Sequence, residues 1–343
     1  MILLVTGGAG FIGANFVRWQ RQHHPDDRLV VLDALTYAGN LANLEGVLDQ
    51  VVFVRGDIAE RDLVERTLHD HGVEQVIHFA AESHVDRSIL GPSEFVRTNV
   101  LGTATLLERA RAAGVRRFVH VSTDEVYGDL GPDDPPFTES TPLAPHSPYS
   151  ASKASSDLLV QAFHHTYGMP TLITRCSNNY GPFQFPEKLI PLMILRAFAG
   201  QPLPVYGDGM NVRDWIHVED HCAALDLVLR RGADCEVYNI GGNSERPNLH
   251  IVRRVLELTG RPESLIRFVT DRPGHDRRYA IDGTKIAREL GFVPGHDVDE
   301  ALQSVIAWYR DHEPWWQAVL SGDYRSWYER NYAGRGETTA VRR

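Results

Sequence analysis

The first half of the chain alternates short apolar segments with longer segments of helical periodicity. The apolar segments are continuous and rich in Val, Ile and Leu, which is typical of parallel strands buried on both faces. They lie at residues 2–6, 28–33, 51–55, 75–80, 117–121 and 171–175. Strands that alternate with helices in this way predict an α/β Rossmann fold, a doubly wound parallel sheet.

The second half of the chain has a different pattern of strands and connections. After about residue 178 the connections become rich in proline and glycine, and strand patterns are fewer. This change predicts a first α/β domain over residues 1–178 and a smaller lobe over most of residues 179–343. A helix predicted over 220–230 and a strand predicted over 236–240 favour a return of residues 211–241 to the first domain.

The composition is that of an ordinary globular protein. The 343 residues are 43% hydrophobic and 23% charged, which allows two domains with a sizeable core. The formal net charge of -10 offers no general basic surface for a phosphate backbone. Nucleic acid is therefore not expected as a partner.

Cysteines, histidines and apolar segments bear on where the protein works. Three cysteines without metal-like spacing argue against a disulfide framework and favour a reducing compartment. The adjacent histidine pairs at 23–24 and 164–165 lack further ligands, so no metal site is predicted. The N-terminus does not resemble a signal sequence, and no apolar run reaches membrane-spanning length. We expect a cytoplasmic protein without a membrane partner.

A glycine-rich turn follows the first predicted strand. Gly7, Gly10 and Gly13 lie between that strand and the first helix, where small residues allow a tight turn and close approach of a ligand. Unpaired N–H groups and the positive end of the helix dipole favour a pyrophosphate there. The triplet alone could be an ordinary turn, but its place between strand and helix favours a dinucleotide site.

Asp33 ends the second predicted strand, about twenty residues after the glycine turn. A carboxylate at this point can accept hydrogen bonds from the ribose hydroxyls of adenosine, and it disfavours a 2′-phosphate. The next residue, Ala34, could not neutralise such a phosphate. The expected cofactor is therefore NAD rather than NADP, and Asp57 and Ile58 after the third strand are predicted to flank the adenine.

Tyr149 and Lys153 stand four residues apart at the start of a predicted helix, so they share one face. Because an ammonium beside a phenol favours phenolate, we expect Lys153 to lower the pKa of Tyr149. Tyr149 could then exchange a proton with a substrate hydroxyl while a hydride moves to or from nicotinamide. This spacing is common on helices, so the pair is informative only together with the glycine turn.

Two adjacent acids follow the strand predicted over 117–121. Thr123, Asp124 and Glu125 lie at the carboxyl edge of the sheet, where such folds bind ligands. A simple oxidation needs only a hydroxyl such as that of Thr123, so the acids require another explanation. They could form a polar turn or a helix cap. They could also divide acid and base work between carboxyls of different pKa, which is the chemistry of water elimination.

The motifs together resemble the extended short-chain dehydrogenase/reductase family and, within it, the dTDP-glucose 4,6-dehydratase family. The resemblance covers essentially the whole chain and rests on five separated segments, residues 80–88, 122–128, 176–182, 186–191 and 271–279. The segment 321–327 is also similar to the C-terminal tail of that family. The resemblance implies dTDP-glucose as substrate, its conversion to dTDP-4-keto-6-deoxyglucose and water, and a homodimer.

The resemblance implies a role for each catalytic residue. Tyr149 would take the proton of the 4-hydroxyl, Glu125 the proton of carbon 5, and Asp124 would protonate the departing 6-hydroxyl. Thr123 would bind the sugar near carbon 4, and Lys153 would also hold the nicotinamide ribose. Because the hydride taken from carbon 4 returns to carbon 6, the cofactor would stay bound between turnovers.

The motifs and the resemblance assign further residues to the two ligands. The NAD-binding set is Gly7, Gly10, Phe11, Ile12, Gly13, Asp33, Ala34, Leu35, Thr36, Asp57, Ile58, Ala80, Ala81, Ser83, Thr98, Tyr149, Lys153 and Asn179. The substrate-binding set is Ser83, Thr123, Asn178, Glu187, Lys188, Leu189, Pro204, Tyr206, Arg213, Asn248 and His275. Candidate cations for the diphosphate are Arg213, Arg277 and Arg278.

The clearest helical segment covers residues 93–113, with Pro92 near its start and Gly114 after its end. In the homodimer that the resemblance implies, this helix and the helix carrying Tyr149 pack against their symmetry mates. The candidate apolar contact positions are Val100, Leu101, Leu106 and Leu107.

Other functions stay open at the level of sequence. A nucleotide-sugar 4-epimerase or decarboxylase would begin with the same oxidation at carbon 4, but neither needs Asp124 and Glu125 together. A non-catalytic NAD-binding protein could keep the glycine turn and lose the chemistry, although the intact catalytic set counts against it. The sequence does not decide between dTDP, UDP and CDP sugars.

Overall fold

The computed structural model describes residues 1–320, and the tail motif at residues 321–327 lies outside the described residues. In chain order its strands are β1 (Ile2–Thr6), β2 (Arg28–Asp33), β3 (Val52–Arg55), β4 (Gln75–His78), β5 (Arg117–Thr123), β6 (Thr171–Cys176), β7 (Asn178–Tyr180), β8 (Leu203–Tyr206), β9 (Val212–His217), β10 (Val237–Ile240), β11 (Glu245–Pro247) and β12 (Ile266–Val269).

Helices connect and cover these strands. They are α1 (Phe11–His23), α2 (Arg61–His71), α3 (Val85–Leu90), α4 (Pro92–Phe95), α5 (Thr103–Ala112), α6 (Pro148–Tyr167), α7 (Leu189–Phe198), α8 (Val218–Arg231), α9 (Asn248–Thr259), α10 (Thr284–Leu290), α11 (Val298–Asp311) and α12 (Glu313–Leu320). A π-helical stretch, Val96–Gly102, joins α4 to α5, and 3₁₀ turns lie at Leu41–Leu44, Leu48–Gln50, Asp124–Tyr127 and Glu263–Leu265. Within residues 1–320, no helix combines the length and apolarity needed to cross a bilayer.

Seven parallel strands form the central sheet, in the order β10-β6-β5-β4-β1-β2-β3. Leu3 and Val5 of β1 pack into a core with α1 and α8, whereas Leu4 faces a second core with α2 and α5. Both faces of the strand are therefore buried, which explains its continuous apolar sequence. The predicted doubly wound parallel sheet is confirmed, and its strand order reverses between β1 and β4, where such sheets bind ligands.

The predicted strands agree with the structure except at their ends. β4 stops at His78, two residues before the predicted end, and β5 continues to Thr123. The helix predicted over residues 93–113 spans Pro92 to Ala112, but the π-helical stretch interrupts it. Its hydrogen bonds join residues five apart instead of four, so the direction in which the following side chains point around the helix axis differs from that in a regular α-helix.

The second half of the chain forms two small sheets and also adds a strand and a helix to the first α/β domain. A three-stranded sheet, β11-β9-β7, and a two-stranded sheet, β12-β8, surround a core formed with α7, α9 and α11. α8 packs against α1, and β10 pairs in parallel with β6 at the edge of the central sheet. The chain thus leaves the first sheet after β6 and rejoins it at β10.

Candidate active site

A cavity of about 330 Å³ lies at the carboxyl ends of the central strands, between the glycine turn and the second half of the chain. Every residue of the predicted NAD-binding set lines this cavity except Leu35. Leu35 instead shapes the loop after β2, where its backbone has a positive φ of 53° and its N–H donates to Asp33.

The glycine turn is packed so closely that side chains would not fit. A Cβ on Gly7 would lie 2.6 Å from the backbone nitrogen of Ala80, and one on Gly13 would lie 2.2 Å from the carbonyl oxygen of Gly7. The residue that caps the N-terminus of α1 is Gly10, so no side chain occupies the first N–H groups of the helix. This exposed helix start fits the pyrophosphate of a dinucleotide.

Asp33 lies at the end of β2 on the cavity wall. Its Oδ2 accepts a hydrogen bond from the N–H of Ala9 at 2.9 Å, and its Oδ1 accepts one from Leu35 at 2.8 Å. Burial raises the pKa of Asp33, and these two hydrogen bonds oppose that rise. Each oxygen retains acceptor capacity, so the carboxylate can hold the loop and still accept from a ribose hydroxyl.

Tyr149 and Lys153 lie in the first turns of α6, which begins with a capping box between Ser147 and Ser150. Lys153 Nζ donates to the carbonyl oxygen of Val121 at 2.9 Å. Burial lowers the pKa of Lys153 to about 8. The pair therefore occupies the predicted face, beside the carboxyl end of β5.

The expected effect of Lys153 on the pKa of Tyr149 is wrong. The pKa of Tyr149 is raised well above its ordinary value, chiefly by burial and then by the carboxylate of Glu125. Lys153, whose Nζ donates to the carbonyl oxygen of Val121, is not among the main influences on this pKa. A phenol in these surroundings is neutral unless further positive charge is brought beside it.

Asp124 and Glu125 occupy the 3₁₀ turn that follows β5. The hydroxyl of Thr123 accepts from the N–H of Glu125 at 3.3 Å and donates to Asp124 Oδ1 at 3.2 Å. Burial raises the pKa of both acids, and for Asp124 the next cause is the neighbouring carboxylate of Glu125. Thr123 is thus the cap of the turn, while both acids line the cavity.

Three cations act on the charge of Glu125. Arg272, Lys188 and Arg213, in that order, oppose the rise in the pKa of Glu125 caused by burial. Of these three cations, Arg213 is the one that also lowers the pKa of Asp124. Lys188 Nζ donates to the carbonyl oxygen of Ser83 at 2.8 Å. Two adjacent carboxyls thus have different electrostatic surroundings.

The predicted substrate residues divide into two groups. Ser83, Thr123, Asn178, Glu187 and Lys188 line the cavity. The others lie outside its lining: Leu189, Pro204, Tyr206, Arg213, Asn248 and His275.

Several members of this outer group contact one another or the first half of the chain. The hydroxyl of Tyr206 donates to Asp86 Oδ2 at 2.9 Å, and its ring meets that of His275 edge to face at 6.1 Å. The guanidinium of Arg213 lies 4.2 Å from the ring centre of Tyr279. The amide oxygen of Asn248 is buried without a hydrogen-bond partner in the described part of the chain. These residues form a polar wall that continues from the cavity.

Arg272 is the functional candidate that the sequence reasoning missed. Its guanidinium donates to Asp86 Oδ1 at 3.4 Å and acts on the charge of Glu125. The predicted cations Arg277 and Arg278 instead form ion pairs with Asp208 at 2.8 Å and with Glu245 at 2.8 Å. The segment 271–279 carried the signal, but sequence alone gave no reason to prefer one of its arginines.

A separate histidine cluster lies outside the cavity lining. Atoms of His217, Glu219 and His296 that could bind a metal lie within 4.8 Å of one another. However, His217 Nδ1 accepts the N–H of Glu219 at 3.3 Å, which places the proton of the neutral ring on Nε2. The ring then has no free lone pair for a metal, so the contact is that of a helix cap.

The chain is similar to enzymes that act on nucleotide sugars. The family described as GDP-mannose 4,6 dehydratase matches residues 4–305. A dTDP-glucose 4,6-dehydratase of Xanthomonas campestris pv. campestris (strain B100) is 55% identical, over 94% of this chain and 97% of the relative. The dTDP-glucose 4,6-dehydratase of Salmonella typhimurium (strain LT2) is 49% identical, over 98% of this chain and 100% of the relative.

Solved structures give the same grouping. DesIV, a dTDP-glucose 4,6-dehydratase of Streptomyces venezuelae solved with NAD bound, has a TM-score of 0.90 and 53% identity, and the match covers 93% of this chain and 100% of DesIV. UDP-glucose 4-epimerase of Thermotoga maritima has a TM-score of 0.85 and 30% identity, covering 91% of this chain and 99% of the epimerase. The greater identity lies with the dehydratases. The chain therefore belongs to the dTDP-glucose 4,6-dehydratase family of extended short-chain dehydrogenases/reductases.

Proposed function

We propose that this protein is an NAD-dependent hydro-lyase that converts dTDP-glucose to dTDP-4-keto-6-deoxyglucose and water. The observation that carries the proposal is the pair Asp124 and Glu125, which line one cavity with Tyr149 and Lys153. Elimination of water needs an acid for the departing hydroxyl and a base for the adjacent carbon, in addition to a group that serves the oxidation. The site offers all three.

Asp124 has the surroundings of the acid. It is almost fully buried, and its pKa is raised well above the ordinary value by burial and by the charge of Glu125. These surroundings favour the protonated carboxyl, which can donate to the 6-hydroxyl as water leaves.

Glu125 has the surroundings of the base. The charges of Arg272, Lys188 and Arg213 favour its carboxylate form. A ketone at carbon 4 acidifies the hydrogen of carbon 5, so a carboxylate of ordinary strength can remove it. Glu125 later returns a proton to carbon 5 when carbon 6 has become a methyl group.

Tyr149 and Thr123 serve the oxidation. As phenolate, Tyr149 takes the proton of the 4-hydroxyl, and Thr123 holds the sugar near carbon 4. The positive charge of oxidised nicotinamide, added to that of Lys153, would favour the phenolate, which burial and the carboxylate of Glu125 disfavour. Lys153 is also placed to hold the nicotinamide ribose from the same helix.

The glycine turn and Asp33 would hold the cofactor. The uncapped start of α1 would bind the pyrophosphate, and Asp33 would accept from the adenosine ribose. When bound, NAD supplies the chemistry of taking a hydride from carbon 4 and returning it to carbon 6. Because the reaction is redox-neutral, the protein gains nothing by releasing the cofactor between turnovers.

The polar wall beyond the cavity suits a nucleoside diphosphate. Arg213 is a buried cation and Arg272 a partly exposed one, both near the catalytic acids, and cations of this kind bind phosphate oxygens. Tyr206 offers an aromatic face toward a base. Asn248 has a buried amide oxygen available for a donor on the ligand. Ser83, Asn178 and Glu187 line the cavity, and His275 meets the ring of Tyr206, so we include them in the substrate site. Leu189 and Pro204 are included because the resemblance implies them.

The proposal includes the organisation of the chain. Residues 1–178 form the NAD-binding domain, residues 179–343 form mainly the sugar-nucleotide lobe, and part of 211–241 returns to the first domain, as the pairing of β10 with β6 supports.

The protein works in the cytoplasm as a homodimer. Support for the dimer comes from exposed apolar side chains around α4 and α6: Leu90 70%, Val96 55%, Leu101 56% and Leu158 57%.

Direct assay decides between this function and its rivals. The purified protein is incubated separately with dTDP-glucose and UDP-glucose, and the products are identified by mass and by the absorbance of the 4-keto sugar. We expect the 4-keto-6-deoxy product from dTDP-glucose and release of NAD when the protein is denatured. A 4-epimer as the product would favour an epimerase, and bound NAD without any turnover would favour a non-catalytic protein.

A further inference from the structure

After every turnover of the proposed reaction, Tyr149 must lose one proton and Asp124 must gain one. The sugar loses protons from the 4-hydroxyl and from carbon 5, and it gains protons at the departing oxygen and again at carbon 5. Glu125 closes its own cycle because it takes and returns a proton at the same carbon. Tyr149 is left with one proton too many, and Asp124 with one too few.

Thr123 lies between these two groups. Its hydroxyl donates to Asp124 Oδ1 at 3.2 Å, and a side-chain hydrogen-bond interaction with Thr123 lowers the pKa of Tyr149, against the rise caused by burial. A hydroxyl has one proton to donate and lone pairs with which to accept, so it can accept from one neighbour while it donates to the other. Thr123 is 8% exposed, so its hydroxyl has little contact with solvent.

On its side away from the cavity, Lys153 contacts buried groups. Its Nζ contacts the carbonyl oxygen of Val121 and, at 3.4 Å, His120 Nε2. His120 lies 3.5 Å from Asp157, and both side chains are completely buried. Burial lowers the pKa of His120 well below its ordinary value, so this imidazole resists taking up a proton. The described residues behind Lys153 therefore favour retention of the proton in the active site.

We propose that the Thr123 hydroxyl returns the proton of Tyr149 to Asp124 and so resets the enzyme. The inference rests on the proposed function, because the imbalance arises from dehydration. The phenol O–H bond breaks as its proton moves to Thr123 Oγ1, and the original hydroxyl proton of Thr123 moves to Asp124 Oδ1. The products are a phenolate and a carboxylic acid, the threonine is unchanged, and no electron pair leaves the three side chains.

The test compares the first turnover with later turnovers. Thr123→Val keeps the shape of the side chain and removes the hydroxyl, whereas Thr123→Ser is the matched control that keeps it. The enzyme is mixed with excess dTDP-glucose in rapid quench, and product is counted per active site. For Thr123→Val we expect one equivalent of 4-keto product, followed by turnovers roughly tenfold or more slower than the first. Wild type and Thr123→Ser should show no such burst.

A small proton carrier identifies the cause of the slow phase. Imidazole buffer should accelerate the later turnovers of Thr123→Val and leave the first unchanged, which slow product release would not do. Equal slowing of first and later turnovers would overturn the inference, because it is the result of a role in sugar binding alone. A slow phase that imidazole does not change would also overturn it.

Two controls separate folding and function from the inference. The amount of NAD released on denaturation shows whether Thr123→Val is folded, and Thr123→Ala replaces it if that amount falls. If wild type forms no 4-keto product, the proposed function fails. If wild type forms product and the variant shows no burst, only the proton-return role fails.

Discussion

Asp124 and Glu125 are neighbours in one 3₁₀ turn, yet their carboxyls lie in different electrostatic surroundings. The second strongest influence on the pKa of Asp124 is the negative charge of Glu125, whereas for Glu125 it is the positive charge of Arg272. Burial raises the pKa of both carboxyls, but neighbouring charge adds to that rise for Asp124 and opposes it for Glu125. This difference is what a dehydratase needs and what a simple oxidoreductase or an epimerase does not.

Loss of Arg272 should weaken both substrate binding and the base. Arg272→Met removes a cation that acts on Glu125, so kcat/KM for dTDP-glucose should fall about tenfold to a hundredfold, as is typical for a lost hydrogen bond to a charged group. The matched control is Arg277→Met, because Arg277 forms an exposed ion pair with Asp208. We expect steady-state kinetics of the control to match wild type. Equal losses in both variants would show that Arg272 does not face the substrate.

Tyr149→Phe should stop the reaction before any reduced nicotinamide forms. The variant lacks the acceptor for the 4-hydroxyl proton, so oxidation should slow by roughly a hundredfold or more. Stopped-flow absorbance of nicotinamide after mixing with dTDP-glucose measures this step. Reduction at the wild-type rate in this variant would remove Tyr149 from the oxidation.

The rate should fall as pH rises through the pKa of Lys153. That pKa is lowered to about 8 by burial, so the ammonium is present below this value and is lost above it. Loss of the positive charge disfavours the phenolate of Tyr149. The profile of kcat against pH measures the alkaline limb, and Lys153→Arg, which stays charged, should flatten it. A wild-type rate that continues to rise well above pH 8 contradicts this assignment.

Leu101→Glu should separate the proposed dimer into monomers. Leu101 is 56% exposed in the π-helical stretch, and a buried charge at a subunit contact is strongly unfavourable. Sedimentation equilibrium gives the mass in solution, and circular dichroism checks the fold. Val293→Glu is the control, because Val293 is 74% exposed in the loop after α10. A dimer that survives Leu101→Glu, or a wild-type monomer, would place the contact elsewhere or remove it.

Local patterns in the sequence predicted the parts of the site that local structure determines. The glycine turn, Asp33 at the end of β2, and Tyr149 with Lys153 on α6 depend on neighbours in the chain, and all of them line the cavity. Arg272 could not be identified in this way, because its place beside Asp86 and Glu125 arises from contacts between distant segments. Sequence spacing also gave no measure of the burial that raises the pKa of Tyr149.

The predicted dimer face illustrates a second limit. Leu106 and Leu107 were expected to contact another subunit, but both are completely buried against the central sheet. Leu106 and Leu107 lie five and six residues after Leu101, which at about 100° per residue puts them on the opposite side of the helix from it. Leu101 is on the outside. Apolar character alone did not show which side of this helix faces the core.

The division of work between the two acids is tested most directly by single-turnover experiments with Asp124→Asn and Glu125→Gln. Each substitution preserves the shape of the side chain and removes its acid or base function, while Tyr149 remains in place. After mixing with dTDP-glucose, we predict that reduced nicotinamide accumulates on the protein and that the 4-keto-6-deoxy product forms at least about a hundredfold more slowly than in wild type. Unchanged rates of dehydration in both variants would contradict the account.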